Sequence, residues 1–130
     1  MGNYPFNGTP PLQLQASTGI NGFELEDATP NIISWTTPND GQLHRVTFFV
    51  EMDVSLALTG GAIYGLIYIP NGVVNQKTII PANSIAGVVN PSGDGFPFQR
   101  LVAPNTLVAV QQGTAITAGA AQLWAEIWGS

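Results

Sequence analysis

The stretch from Arg45 to Leu56 reads Arg-Val-Thr-Phe-Phe-Val-Glu-Met-Asp-Val-Ser-Leu, and it decides the fold class. Apolar side chains occupy every second position, and the residues between them are mostly polar or charged. A period of two places alternate side chains in a core and in solvent, which is typical of a half-buried β-strand. The side chains predicted to face the core are Val46, Phe48, Val50, Met52, Val54 and Leu56.

Further strands are predicted after this one. Residues 62–69 are apolar on both faces, which indicates a strand covered on both sides. Residues 121–128 alternate again, with Gln, Trp and Glu on the face opposite the apolar one. The similar phrases at 59–62 and 117–120 are each predicted to form a turn before a strand.

The chain as a whole shows no sustained helical periodicity. Seven to nine short strands separated by frequent turns predict one all-β domain over residues 21–130, a β-sandwich, a jelly roll or a related barrel. Residues 1–20 are rich in Pro and Gly and are predicted to form an extended N-terminal arm. The alternation at 12–15 allows one edge strand in this arm, and a disordered terminus is the alternative.

Charge is scarce in this chain. Charged residues make up 8% of it, against about 25% in ordinary soluble domains. This predicts a homo-oligomer or a surface buried on a partner, and abundant uncharged polar residues are the alternative explanation. The net charge of −5 and only three Lys and Arg argue against nucleic-acid binding. We also expect no membrane partner, because no apolar run approaches the roughly 20 residues of a spanning helix.

Residues able to carry out chemistry are few. The single histidine, His44, is predicted to be an exposed residue at a strand edge, and the chain has no cysteine and no nucleophile motif. Glu24 and Glu26 share one strand face, and Glu51 and Asp53 share another. Neighbouring strands would let them bind Ca²⁺ or form a glycosidase-like pair, but two solvated faces are the favoured interpretation. We therefore predict no catalytic residue, no metal site and no cofactor.

The aromatic residues are the other candidates for function. Trp124 and Trp128 lie on one face of the last strand, and with Trp35, Tyr64 or Tyr68 they could form a platform for stacking sugars. Packing in a second core layer or at a subunit interface is favoured over that role. The candidate interface residues are Tyr4, Phe6, Leu12, Leu14, Tyr64, Tyr68, Trp124 and Trp128.

Three stretches, at residues 35–46, 59–62 and 115–127, resemble small all-β virion proteins of tailed bacteriophages, in particular capsid decoration (cement) proteins. The resemblance lies in short turn sequences and in a composition that is low in charge and rich in Gly, Thr and Ala. It implies trimeric β-modules on the outer surface of a head shell, sometimes held by a terminal arm, with the major capsid protein as partner. The expected function is stabilisation of the shell. The alternatives are another virion module, such as a tail or fibre head domain, or a carbohydrate-binding module that uses Trp124 and Trp128.

Overall fold

The computed structural model describes residues 11–25, 31–68, 75–80 and 98–130. These residues form seven β-strands and no helix, and hence no helix long and apolar enough to cross a membrane. The all-β prediction is therefore confirmed. The strands are β1 (Gln13–Ser17), β2 (Phe23–Leu25), β3 (Ile33–Thr36), β4 (His44–Tyr68), β5 (Asn75–Ile80), β6 (Phe98–Val102) and β7 (Leu107–Gly129).

Two long strands form the frame of the molecule. β4 and β7 pair antiparallel from Val46 opposite Gly129 to Tyr64 opposite Gln111, and we call this pair the long ribbon. β6 lies beside the first part of β4 and β5 beside its last part. β3 lies beside the first part of β7, whereas β1 and β2 lie beside its last part. Every pairing is antiparallel, as expected for a fold built without crossover helices.

The long ribbon folds back on itself. β3 pairs Trp35 with Val108 near the start of β7, and yet the Trp35 indole lies against Gly129 at the end of β7. A straight strand would separate Val108 from Gly129 by roughly 70 Å. β1 and β3, which flank opposite ends of β7, are also in contact. The two halves of the ribbon therefore face each other as the two layers of a sandwich-like domain.

The bend of the ribbon lies at residues 55–62 of β4 and 114–120 of β7. The pairing register shifts four times between Val54 and Ile63. Such β-bulges insert unpaired residues and sharply bend a ribbon. Gly60 takes a φ of 73°, which favours glycine, and a Cβ there would lie 3.0 Å from the Ala115 carbonyl oxygen. The prediction of two turns is therefore wrong. Residues 59–62 and 117–120 lie within continuous strands, where they form the bend and pair with each other, Thr59 opposite Ala118.

The core lies between the two layers and matches the predicted strand faces where side chains are described, except that Thr47 of the predicted polar face is also buried. In the first layer the buried residues alternate along β4 and β7. In the second layer they come from β3, β4 and the start of β7. The buried apolar residues of the two layers include Val46, Phe48, Val50, Met52, Leu123, Ala125 and Ile127, and Ile33, Ile63, Val108 and Val110.

The predicted N-terminal arm lies partly within the described residues. Its residues 13–17 form β1, which pairs with the end of β7, with a bulge between Leu14 and Ala16. This strand belongs to the sheet. Residues 1–10 lie outside the described part of the chain, and so do the predicted interface residues Tyr4 and Phe6.

Candidate binding groove on the outer sheet face

A surface groove of about 540 Å³ runs along the outer face of the first layer, the face opposite the core. β1 and the loop that follows it form one wall. The described lining of this groove, which we call the aromatic–acidic groove, includes Leu14, Ser17, Thr18, Ile20, Phe49, Glu51, Trp124 and Glu126. Its volume falls within the roughly 300–1,000 Å³ of typical ligand sites.

The floor of the groove follows from strand register. Phe49 lies opposite Glu126, and Glu51 lies opposite Trp124, in consecutive pairs on the outer face of β4 and β7. Directly opposite residues of an antiparallel pair have Cβ atoms about 4.5–5.5 Å apart. Each aromatic ring therefore has a carboxylate as its cross-strand neighbour. Phe49, Trp124 and Glu126 are half-buried, whereas Glu51 is exposed.

Trp124 is held in place by the loop between β1 and β2. Its indole Nε1 donates to the Ile20 carbonyl oxygen at 3.2 Å. Gly22 packs directly behind the indole, because a Cβ there would lie 3.0 Å from two ring atoms. Thr18 pins the loop to β7 through hydrogen bonds with the main chain of Ala125 at 3.0 and 3.1 Å. The ring is therefore positioned before any ligand arrives.

Trp128 lies next to the groove and fixes one of its carboxylates. It pairs with Leu14 of β1 and with Thr47 of β4, which places all three on the outer face. Its indole Nε1 donates to Glu126 Oε1 at 3.2 Å. One carboxylate oxygen of Glu126 is therefore already hydrogen-bonded to a neighbouring side chain.

The groove is electrically negative. Within the part of the chain that the structure describes, no Lys, Arg or His forms an ion pair with Glu51 or Glu126. Asp53 is a further exposed carboxylate on the same face of β4, one pair beyond Glu51, and it lies outside the lining of this groove. The chain as a whole carries a net charge of −5. The site has hydrogen-bond acceptors and aromatic rings, and the described lining offers no cationic side chain.

The predicted interface residues are only partly brought together. Leu14 and Trp124 line the groove, Trp128 adjoins it, and Leu12 lies half-buried just before β1. Tyr64 lies in the second half of the ribbon, where its ring covers Gly113 so closely that a Cβ there would clash with it. Tyr68 pairs with Asn75 in the same half, and its side chain lies outside the described part.

Sequence reasoning did not place Phe49 or Ile20 in a site, and it considered Glu51 only together with Asp53 and not beside Trp124. Phe49 carried a usable signal, because it is an aromatic residue on the otherwise polar face of the strongest strand. Ile20 carried none. It is 94% exposed, and only the fold brings its loop beside β7.

The predicted carboxylate cluster does not form between the two strands considered. β7 stands between β2 and β4, with Glu24 and Asp53 both opposite Gln122. Two strand spacings, roughly 9.5 Å, therefore separate the two backbones. Both residues line a second groove of about 490 Å³ beside the bend. Glu26 lies outside the described residues, among which no three His, Asp or Glu side chains converge.

The prediction of an exposed His44 is wrong. The residue is 5% exposed, and its ring lies edge-on to Trp35, with ring centroids 6.4 Å apart. Nδ1 lies 2.8 Å from the Ser130 main-chain oxygen and Nε2 lies 2.8 Å from Asp40 Oδ1. The Ser130 hydroxyl accepts a hydrogen bond from the Arg45 main-chain N–H at 2.9 Å. Both ring nitrogens thus face acceptors, an arrangement that clamps the strand ends and does not match a Ser-His-Asp triad.

Comparison with known proteins gave no relative. No protein-family model, no curated protein and no solved structure matches the chain. The class of protein is therefore defined by its fold and its site, an all-β sandwich-like domain with an aromatic–acidic groove.

Proposed function

We propose that this protein is a non-catalytic binding module that sits as a homo-oligomer on the outer surface of a bacteriophage head shell and stabilises it. The proposal joins the resemblance of the sequence to capsid decoration proteins with one observation of the structure. That observation is the apolar character of the outer sheet face.

Large apolar side chains lie on the outer face of the first layer, beside its charged and polar ones. Leu14 on β1 and Leu101 on β6 are 48% and 65% exposed. Phe49, Trp124 and Trp128 lie between them in sequence-distant strands and are half-buried. Exposed apolar side chains rimmed by polar residues are typical of interaction sites. Aromatic residues are also enriched in protein–protein interfaces.

The charges of this face support a protein partner. The carboxylates on its described part are Glu24, Glu51, Asp53 and Glu126, and the described cation there is Arg45. A negative face repels the phosphates of packaged DNA and suits the outside of a shell. The major capsid protein is the proposed partner. Binding only to the assembled lattice stabilises that lattice by mass action, and several linked copies would strengthen weak individual contacts.

The test is co-sedimentation with undecorated heads of the phage that encodes the protein. The informative variant is Leu101→Glu, which adds a charge to the exposed outer face. Its matched control is Ser34→Glu, which adds the same charge to an exposed position of β3 in the other layer. We expect the wild type and S34E to sediment with heads and L101E to remain in the supernatant.

Light scattering on a size-exclusion column tests the oligomer. The expected mass is about three times the 13.7 kDa of one chain. A monomer that binds neither heads nor any other particle component overturns the proposal. If the protein binds purified tails and does not bind heads, the decoration role is wrong and the protein is a tail or fibre module.

A further inference from the structure

We infer that the aromatic–acidic groove binds a cationic side chain, lysine or arginine, of a partner protein. The inference rests on the proposal that the outer face is a binding surface. It names the chemistry of the partner, and its test is independent of the assignment to a phage shell.

The floor of the groove carries the first argument. The cross-strand pairs Phe49 with Glu126 and Glu51 with Trp124 alternate ring and carboxylate in both directions. A cation in this groove lies next to aromatic rings, which attract it within about 6 Å of a ring centroid. It also lies next to carboxylates that accept charge-assisted hydrogen bonds. An arginine or lysine satisfies both groups at once.

Charge complementarity is the second argument. Glu51 and Glu126 have no described cationic partner, in a chain of net charge −5. A neutral ligand leaves these two charges uncompensated, whereas a cation compensates them and is attracted over a distance of several ångströms.

The third argument concerns the tryptophans. Both indole N–H groups are already occupied, which weighs against a sugar held through an indole N–H but not against one stacked on a ring face. The polar atom of an indole is its N–H group, which only donates. Trp124 already donates to the Ile20 carbonyl oxygen, and Trp128 donates to Glu126. Neither indole N–H is left to bind a sugar hydroxyl.

The rim of the groove suits a long aliphatic stem. Leu14 is 48% exposed and Ile20 is 94% exposed, and both line the groove. Lysine and arginine lay their methylene groups along apolar surface while their charged ends reach polar partners. The described rim and floor thus match the two parts of such a side chain.

The experiment uses a short probe peptide, N-acetylated and C-amidated Gly-Arg-Gly-Arg-Gly, titrated into the full-length protein. The readout is the NMR signal of the Trp124 indole N–H, which lies at the site. The control ligand is the same peptide with citrulline in place of arginine, a neutral isostere. We expect saturable shifts with the arginine peptide only, and an affinity that falls as salt is added.

Two double variants distinguish a specific site in the groove from non-specific attraction of the peptide to an acidic protein. E51Q/E126Q removes both groove carboxylates and keeps their shapes. The matched control E24Q/D53N makes the same change in net charge at two exposed carboxylates outside this groove. We expect E51Q/E126Q to weaken binding about fivefold or more, and E24Q/D53N to change it less than about twofold.

Three outcomes overturn the inference. Equal weakening in the two double variants shows non-specific attraction to an acidic protein. Equal binding of the citrulline peptide shows that charge is not recognised. Shifts of the Trp124 signal with cellohexaose and none with the arginine peptide assign the groove to a carbohydrate instead.

Discussion

The packed end of the long ribbon and the bend in its middle are built from the same two strands and are held by different means. At the packed end, where β4 begins and β7 ends, large side chains meet: Trp35 covers Gly129, and the His44 ring lies between Asp40 and Ser130. At the bend, small residues predominate, and Thr117 Oγ1 donates to the Thr59 carbonyl oxygen at 2.9 Å. Large interlocking side chains fix the packed end, whereas small residues permit the curvature of the bend.

The largest expected effect comes from breaking the packed end with Gly129→Ala. A Cβ at this buried position would lie 2.3 Å from Trp35 Cζ3, so the indole or the strand must move. Overpacking of this kind costs typically about 1–3 kcal/mol of folding free energy. Urea unfolding followed by circular dichroism measures the loss.

A double-mutant cycle assigns that loss to the contact. In a Trp35→Leu background the same Gly129→Ala change should cost clearly less, because the ring that it strikes is gone. An unchanged cost in that background would place the cause elsewhere in β7.

The second prediction concerns the pH dependence of stability, because the packed end contains two titrating side chains in contact, His44 and Asp40. Burial lowers the pKa of His44, but hydrogen bonding to the Ser130 oxygen and to Asp40 outweighs burial and raises this pKa above 6.5. The hydrogen bond from His44 is the main reason that the pKa of Asp40 lies below 3.8, against a smaller opposing effect of burial.

The directions of the two pKa shifts define a pH range in which both side chains contribute to stability. The His44 contribution is fully present below pH 6.5 and is lost as the pH rises through its folded-state pKa. The Asp40 contribution is present above pH 3.8 and is lost as the pH falls through its own folded-state pKa. We expect the wild type to lose stability above pH 6.5 relative to His44→Gln, as measured by urea unfolding across pH 5–8. Parallel curves for the two proteins would contradict this reading of the clamp.

The smallest expected effect is at the bend. Thr117→Val removes one exposed hydrogen bond to the Thr59 carbonyl oxygen, which remains accessible to water. A single hydrogen bond of this kind contributes about 0.5–1.5 kcal/mol, and exposure places this one at the low end. Thermal melting of the variant should show a shift of only a few degrees.

The control for that change is Thr37→Val in the segment after β3. Thr37 is 2% exposed, donates to the Ala103 oxygen at 2.7 Å and accepts from the Thr106 N–H at 2.9 Å. Leaving a buried N–H unpaired costs about 1–3 kcal/mol. A larger loss of folding free energy for T117V than for T37V would contradict the expectation that the exposed hydrogen bond at the bend matters less than the buried one.

The candidate site was predictable only in part. The face of β7 that carries Trp124 and Trp128 follows from alternation in the sequence, and the structure places both on the outer sheet face. The acidic partners Glu51 and Glu126 do not follow, because pairing Glu51 with Trp124 requires β4 to lie beside β7 in one particular register. The loop of Ile20, far away in the chain, is positioned by contacts with β7 that leave no local pattern.

By itself the sequence determined which side chains of the strongest strands face the core. Val46, Phe48, Leu123 and Ile127 are buried as their spacing predicts, because the two-residue period is a local property of an extended chain. Only the tertiary structure decided that residues 59–62 bend a continuous strand, since Gly and Thr suit a turn and a bulge equally well. It alone also decided that His44 is buried, because two of its contacts, Trp35 of β3 and Ser130 just after β7, are distant in the sequence.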